Sequence, residues 1–302
     1  MAILSRQRRR SRALMIIILL LPSLLVFFLY RGVPIVWNLV LSFEKWNFVD
    51  TPKFVGLGNY AKMFSDPIFW ESFKNTVLYF FGGSPIAIIL ALGLSLLVNK
   101  PLKGRNVYRA LIFLPYPITP VAIAIIWKWL YDDKVGLINF ILRSLGLTKQ
   151  GIGFLSNFSW ALPSVIFTTI WQVLGYFVII MLSGLQTIPD ELYESAGLDG
   201  ASAARRLWSI TLPLIRPTVF LCFIVGIINS FTTFDVIYVM TNGGPGHATE
   251  ILVTYIYKNA FTYNEIGAAA AMTLFMFLFL LLITAVSNKI SGGEAGGVNY
   301  YE

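Results

Sequence analysis

Residues 186–217 read QTIPDELYESAGLDGASAARRLWSITLPLIRP, a polar passage set between two long apolar runs. Its local code is helix, turn, helix. Asp190 follows Pro189 and is placed to cap a first short helix. Leu192, Tyr193 and Ala196 share one side of that helix. Gly197 and Gly200 flank a break, and Asp199 is placed to cap the next turn. Leu207, Trp208 and Ile210 supply apolar contacts for a second helix before Pro213 and Pro217 bend the chain back. One reading is an amphipathic turn covering a bundle. The other is a docking surface, because Ser195, Ala196 and Gly197 let the helix enter a groove closely while Glu194 offers one carboxylate to a basic partner.

The flanking runs belong to a larger pattern. A bilayer core needs roughly 20 apolar helical residues, and six segments qualify, about 13–35, 76–98, 108–131, 160–185, 217–240 and 266–288. Runs this long and apolar must be helices, since lipid cannot satisfy open backbone groups. Of the 302 residues 57% are hydrophobic and only 13% charged, about half the roughly 25% usual in soluble domains. The formal charge of +8 is spread between apolar runs rather than gathered on a basic face, so a nucleic-acid partner is not expected. The run after the basic start is long for a cleavable signal core and no A-x-A-like site follows, so it reads as a retained first span.

Lys and Arg near the span ends orient the chain. Arg6, Arg8, Arg9, Arg10 and Arg12, then Lys100, Lys103, Arg105 and Arg109, then Arg205, Arg206 and Arg216, and finally Lys289 fall on one side of a six-span model. The expectation is an all-α membrane protein with both termini cytoplasmic: a basic N-terminus over 1–12, one membrane domain over 13–290 with a cytoplasmic loop at 186–216, and a tail over 291–302.

Polar side chains inside spans are costly in lipid and mark either a bundle interior or a path. The fourth run offers Thr168, Thr169, Gln172 and Tyr176, with Gln172 and Tyr176 four apart on one face. The fifth offers Asn229, Ser230, Thr232, Thr233 and Asp235. Helix–helix hydrogen bonding explains such residues as readily as a pore does. Asp235, near the outer end, can cap, pair or line a mouth. Pro115, Pro117 and Pro120 should kink or unwind the third run. Lys128, between Trp127 and Trp129, reads as interfacial, so no cation lies deep in the bundle and a neutral hydroxyl-rich substrate is favoured over an anion.

Several chemistries find no residues. The chain has no G-x-x-x-x-G-K-[ST] phosphate loop, no H-E-x-x-H or Cys/His cluster and no G-x-S-x-G elbow. Neither a catalytic nor a metal site is expected. The single Cys222 lies in an apolar run and reads as buried and inert. The sole histidine, His247, reads as a solvated loop residue.

The polar passage resembles the EAA loop of ABC-importer permeases. Glu194-Ser195-Ala196, Gly200 and Ile210-Thr211-Leu212-Pro213 occupy its places, with Ser195 standing where that pattern has its middle Ala. Other stretches resemble the maltose-type carbohydrate permeases: Phe54-Val55-Gly56-Leu57-Gly58-Asn59-Tyr60, Leu114-Pro115-Tyr116, Gly184-Leu185-Gln186 and Thr241-Asn242-Gly243-Gly244-Pro245, in order from about Leu14 to Lys289. The resemblance implies the type I importer permease architecture in a bacterial inner membrane. It implies a second homologous permease, two cytoplasmic ATPase subunits that carry the ATP and magnesium, and an external solute-binding protein, with no cofactor in this chain. Glu191, Glu194, Ser195, Ala196, Gly197, Asp199 and Gly200 would then dock the ATPase as a coupling helix. Gln172, Tyr176, Asn229, Ser230, Thr233 and Asp235 would lie on the substrate path. Glycerol-3-phosphate and glycerophosphodiester permeases resemble the same family, which keeps an anionic cargo open. A secondary transporter would need a mid-membrane carboxylate and leaves 186–217 unexplained; a membrane scaffold leaves the polar in-span residues unexplained.

Overall fold

The computed structural model describes residues 2–100 and 103–290, so the expected tail over 291–302 lies outside the described residues. The chain order is α1 (Ala2–Phe27), α2 (Val33–Leu41), β1 (Glu44–Lys45), β2 (Lys53–Phe54), α3 (Gly58–Ser65), α4 (Pro67–Val98), α5 (Arg105–Phe113), α6 (Pro120–Leu130), α7 (Leu137–Ser144), α8 (Phe158–Leu185), α9 (Asp190–Leu198), α10 (Ala203–Arg206), α11 (Leu212–Thr232), α12 (Asp235–Met240), α13 (Leu252–Tyr257) and α14 (Ile266–Ile290). Among the described residues five helical stretches are long and apolar enough to cross a membrane: Met15–Leu41, Pro67–Val98, Phe158–Leu185, Ala203–Thr232 and Ile266–Lys289.

The third expected span is two helices, α5 and α6, separated by residues 114–119. Pro115 and Pro117 deny the chain backbone donors there, and Pro120 opens α6 where a missing N–H costs nothing. The fifth breaks as well, between α11 and α12. Thr232 and Thr233 turn their hydroxyls back onto the carbonyls of Ile228 and Asn229 at 2.8 and 2.7 Å, and Thr233 adopts extended backbone (φ −64°, ψ 122°). Wide π turns at Phe28–Gly32 and Leu207–Thr211 each precede a proline, Pro34 and Pro213. Each turn contains the residue four before that proline, whose carbonyl the ring would otherwise strike.

The chain packs as two units. In one, residues up to 65 and 258–275, Leu41, Ile266 and Ala270 form a small core with Trp46 and Ala260. Asn59 is buried and its amide donates to the carbonyls of Ser42 and Glu44, both at 2.9 Å, while the Tyr60 hydroxyl reaches Ser42 Oγ at 2.7 Å. The Asn-Tyr at the end of the Phe54–Tyr60 stretch is therefore a staple for the β1–β2 ribbon. Lys62 and Glu265 pair at 3.1 Å.

In the other unit, residues 66–257 with the chain from 276, α4 and α8 lie side by side. Ala87, Ala91, Phe177, Val178, Met181 and Cys222 form one core cluster, and Tyr79, Ile123, Trp127, Val165 and Ile237 another. Two glycines set the closeness of approach. A Cβ at Gly175 would lie 2.2 Å from the Ile112 carbonyl oxygen, and one at Gly226 would lie 2.8 Å from Ser84 Cβ. Small residues at helix crossings are how membrane bundles gain contact without a hydrophobic driving force.

Candidate functional site

The two helix breaks meet at a cavity. Its volume is about 340 Å³, within the range of small-molecule sites. Tyr79, Gly83 and Ser84 of α4, Thr169, Gln172, Val173 and Phe177 of α8, and Asn229 and Ser230 of α11 form its walls. Tyr116 and Pro120 enter from the first break, and Thr232, Thr233, Phe234 and Asp235 from the second. An interrupted helix exposes backbone and re-aims side chains, and a membrane protein tolerates that only beside other protein or a water-filled space.

Of the sequence-expected residues, Gln172, Asn229, Ser230, Thr233 and Asp235 line this cavity. Tyr176 does not. Its ring stacks on Tyr116 at 4.6 Å and 15°, so Tyr116 presents the aromatic face and Tyr176 backs it. Gln172 is largely buried, and its amide nitrogen reaches the Ile118 carbonyl in the break at 3.4 Å. Ser230 is committed to packing: its hydroxyl lies 3.0 Å from Ser84 Oγ and donates to the Gly226 carbonyl at 2.8 Å. Tyr79 Oη lies 2.7 Å from Thr169 Oγ1. Tyr79, Ser84 and Tyr116 were not singled out as path residues from sequence. The available signal was a tyrosine and a serine inside an apolar run, and a tyrosine between two prolines.

Beyond α12 the Thr241–Pro245 stretch belongs to a clip fastened to α4. Asn75 donates to the carbonyls of His247 and Glu250 at 2.9 and 3.1 Å, and Thr76 Oγ1 accepts from the Leu252 amide at 2.8 Å. The solvated reading of His247 needs correction. Its ring Nδ1 sits 3.3 Å from the fully buried carboxylate of Glu250, whose other oxygen accepts from Thr254 Oγ1 at 2.7 Å. The i, i+3 spacing across a left-handed His247 (φ 71°) brings the pair together.

The 186–211 passage is the second candidate surface. Two capping expectations are corrected. Asp190 is the first helical residue rather than the cap, so Asp190 and Glu191 favour the α9 N-terminus through its dipole. Asp199 closes α9 at its C-terminal end, and Ser202 caps α10 by accepting from the Arg205 amide at 3.3 Å. Gly200 takes the left-handed conformation (φ 74°) that ends α9, and the Ala201 amide returns to the Ala196 carbonyl at 2.8 Å. Tyr193 anchors the helix: it packs with Leu185, Ile188 and Ile215, and its hydroxyl lies 3.0 Å from Thr211 Oγ1. Glu191, Glu194, Ser195, Gly197, Leu198, Asp199 and Gly200 are exposed, and Ala196 is half-buried.

Apolar spans around a polar cavity, with an exposed helix anchored by Tyr193 between the α8 and α11 spans, define a multi-pass membrane permease. The chain belongs to the family described as binding-protein-dependent transport system inner membrane component, whose model matches residues 83–291. A probable ABC transporter permease of Bacillus subtilis, YurN, is 36% identical over 279 residues, covering 89% of this chain and 93% of that one. The sulfoquinovosyl glycerol transport system permease SmoG of Agrobacterium fabrum is 37% identical, covering 79% and 77%. The trehalose/maltose transport system permease MalF of Thermococcus litoralis is 33% identical, covering 90% and 91%. The crystal structure of a bacterial ABC transporter that imports the acidic polysaccharide alginate shares the fold, with a TM-score of 0.83 at 23% identity over 95% of this chain and 98% of that one.

Proposed function

We propose that this chain is one of two transmembrane permeases of an ATP-driven ABC importer and forms half of the path for a sugar, a di- or oligosaccharide or related polyol, handed over by an external binding protein. The observation that carries the reading is the cavity. It combines an aromatic face, Tyr116, with amide and hydroxyl groups from Gln172, Asn229, Thr169 and Thr232, the donor and acceptor set that a hydroxyl-rich ring requires. The name of MalF, which refers to trehalose and maltose, supports the same class. This half of the path needs no cofactor; ATP and magnesium belong to two separate ATPase subunits.

Coupling runs through α9. A Cβ at Gly197 would meet nothing within 4 Å, so packing within this chain does not demand the missing side chain, although glycine inside a helix costs about 1 kcal/mol against alanine. A groove on a partner supplies the demand. The exposed Glu194 carboxylate faces that partner with Ser195 and Ala196 beside it. ATP-driven closure of the ATPases then favours one permease state over the other through this rigid link. In this reading 1–12, the 186–216 loop and both termini lie in the cytoplasm, 13–290 forms the membrane domain and the 241–265 connection lies outside.

The test is the complete importer reconstituted with its partner permease, ATPases and binding protein. Glu194→Lys should fold and insert yet lose binding-protein-stimulated ATP hydrolysis or shed the ATPase subunits. Normal coupled uptake by that variant would remove α9 from the coupling route.

A further inference from the structure

We infer that Asp235 sets the charge class of the cargo, so that the path admits neutral saccharides and turns away those bearing a carboxylate, sulfate or phosphate. The inference rests on the cavity being the substrate path. Among the described residues its lining contains tyrosines, serines, threonines and two amides, and Asp235 is the one charged side chain there. Among the described residues no lysine, arginine or histidine lines it. Asp235 is exposed and makes no ion pair among the described residues, where the pairs found are Lys62–Glu265 and His247–Glu250. Lys128, on the α6 helix that packs against α12, sends its amine 3.4 Å from the Val239 carbonyl instead, near the opposite end of α12, and does not line the cavity.

The carboxylate stands at the break that forms the cavity wall, as the first residue of α12 after the extended Thr233. There it accepts charge-assisted hydrogen bonds from neutral hydroxyls, which are stronger than neutral ones. A cargo anion in the same cavity meets the same charge unpaired. At separations near 5 Å and the screening of a wet protein cavity, the repulsion amounts to roughly a ten- to hundredfold penalty in affinity. The alginate importer shares this fold while importing an acidic polysaccharide, so the backbone arrangement alone does not fix the charge class. The lining does.

Two isosteric probes that differ by one carboxylate, methyl α-glucoside and methyl α-glucuronide, separate the possibilities. Their binding is measured by saturation-transfer NMR on the complete importer in nanodiscs. Wild type should favour the glucoside about tenfold or more. Asp235→Asn should gain glucuronide binding and narrow the ratio about tenfold, and Asp235→Lys should invert it. Gln172→Ala, away from the charge, should weaken both probes alike. A ratio unchanged by Asp235→Asn, with Gln172→Ala still weakening both, would overturn the charge selection and leave the path in place. Signals from neither probe, or signals indifferent to Gln172→Ala, would remove the path reading and this inference with it.

Discussion

Gln172 and Tyr176 lie four residues apart on one face of α8, yet only the amide reaches the cavity, because Tyr176 is covered by Tyr116. Gln172→Ala and Asn229→Ala are each expected to slow sugar uptake several-fold while basal ATP hydrolysis persists, since each removes an interaction worth about 0.5–1.5 kcal/mol. Ser230→Ala should act differently. Its hydroxyl links α11 to α4 through Ser84 and donates to the Gly226 carbonyl of its own helix, so the main loss should appear as a lower thermal unfolding midpoint of the purified protein. A midpoint unchanged beside slowed uptake would return Ser230 to the path. At the far end of α6, Asp132 accepts from the Val135 and Lys134 amides at 2.9 Å, and these bonds hold its carboxyl below the usual range. A depressed carboxylate stabilises its turn above the unfolded value and loses that contribution as pH falls through the folded value. Protection of the Lys134 and Val135 amides from hydrogen exchange, taken relative to the intrinsic rate at each pH, should therefore fall on acidification below the ordinary carboxylate range, and should show no such fall in Asp132→Asn. The polar residues inside the runs were legible in the sequence. Which of them face a space and which a neighbour was not, because that depends on rotation of α4, α8 and α11 to within a fraction of a turn.

The elements divide in the same way. The five long apolar stretches follow from run length, and the interruption at 114–119 follows from three prolines in six residues. The interruption at Thr233 was illegible. Threonine is compatible with a helix, and Thr168 and Thr169 make the same back-bonds to the carbonyls four residues before them inside the unbroken α8, so the residue types alone do not mark the break at Thr233. The clip was illegible too, since burial of Glu250 depends on Asn75 and Thr76, far away in α4. Its partner His247 is partly exposed while Glu250 itself is fully buried. Glycine at the α4–α11 crossing yields a sharper expectation. Gly226→Val places a Cβ 2.8 Å from Ser84 Cβ, and overpacking of that kind costs about 1–3 kcal/mol. Thermal unfolding in detergent should show the loss, whereas Gly197→Val, with open space around it, should leave unfolding unchanged and instead weaken recovery of the ATPase subunits. Equal stability of the Gly226 variant and wild type would refute the tight crossing.

For the molecule as a whole, the proposed orientation rests on the spread of arginine and lysine along the sequence. Cysteines introduced at Ser202 and Asn242 should label from opposite sides of intact cells, and labelling of both by an impermeant reagent from outside would contradict that orientation. The decisive claim is that ATP drives the cavity between two accessible states. Cys222 is the only native cysteine and is fully buried, so a Cys222→Ser background lets a single thiol at Thr232, an exposed lining residue, report on that cavity in the complete importer. A membrane-impermeant thiol reagent should reach position 232 from the cytoplasmic side without nucleotide and from the outer side in the ATP-bound, hydrolysis-blocked complex. Reactivity from one side only, unchanged by nucleotide, would contradict it.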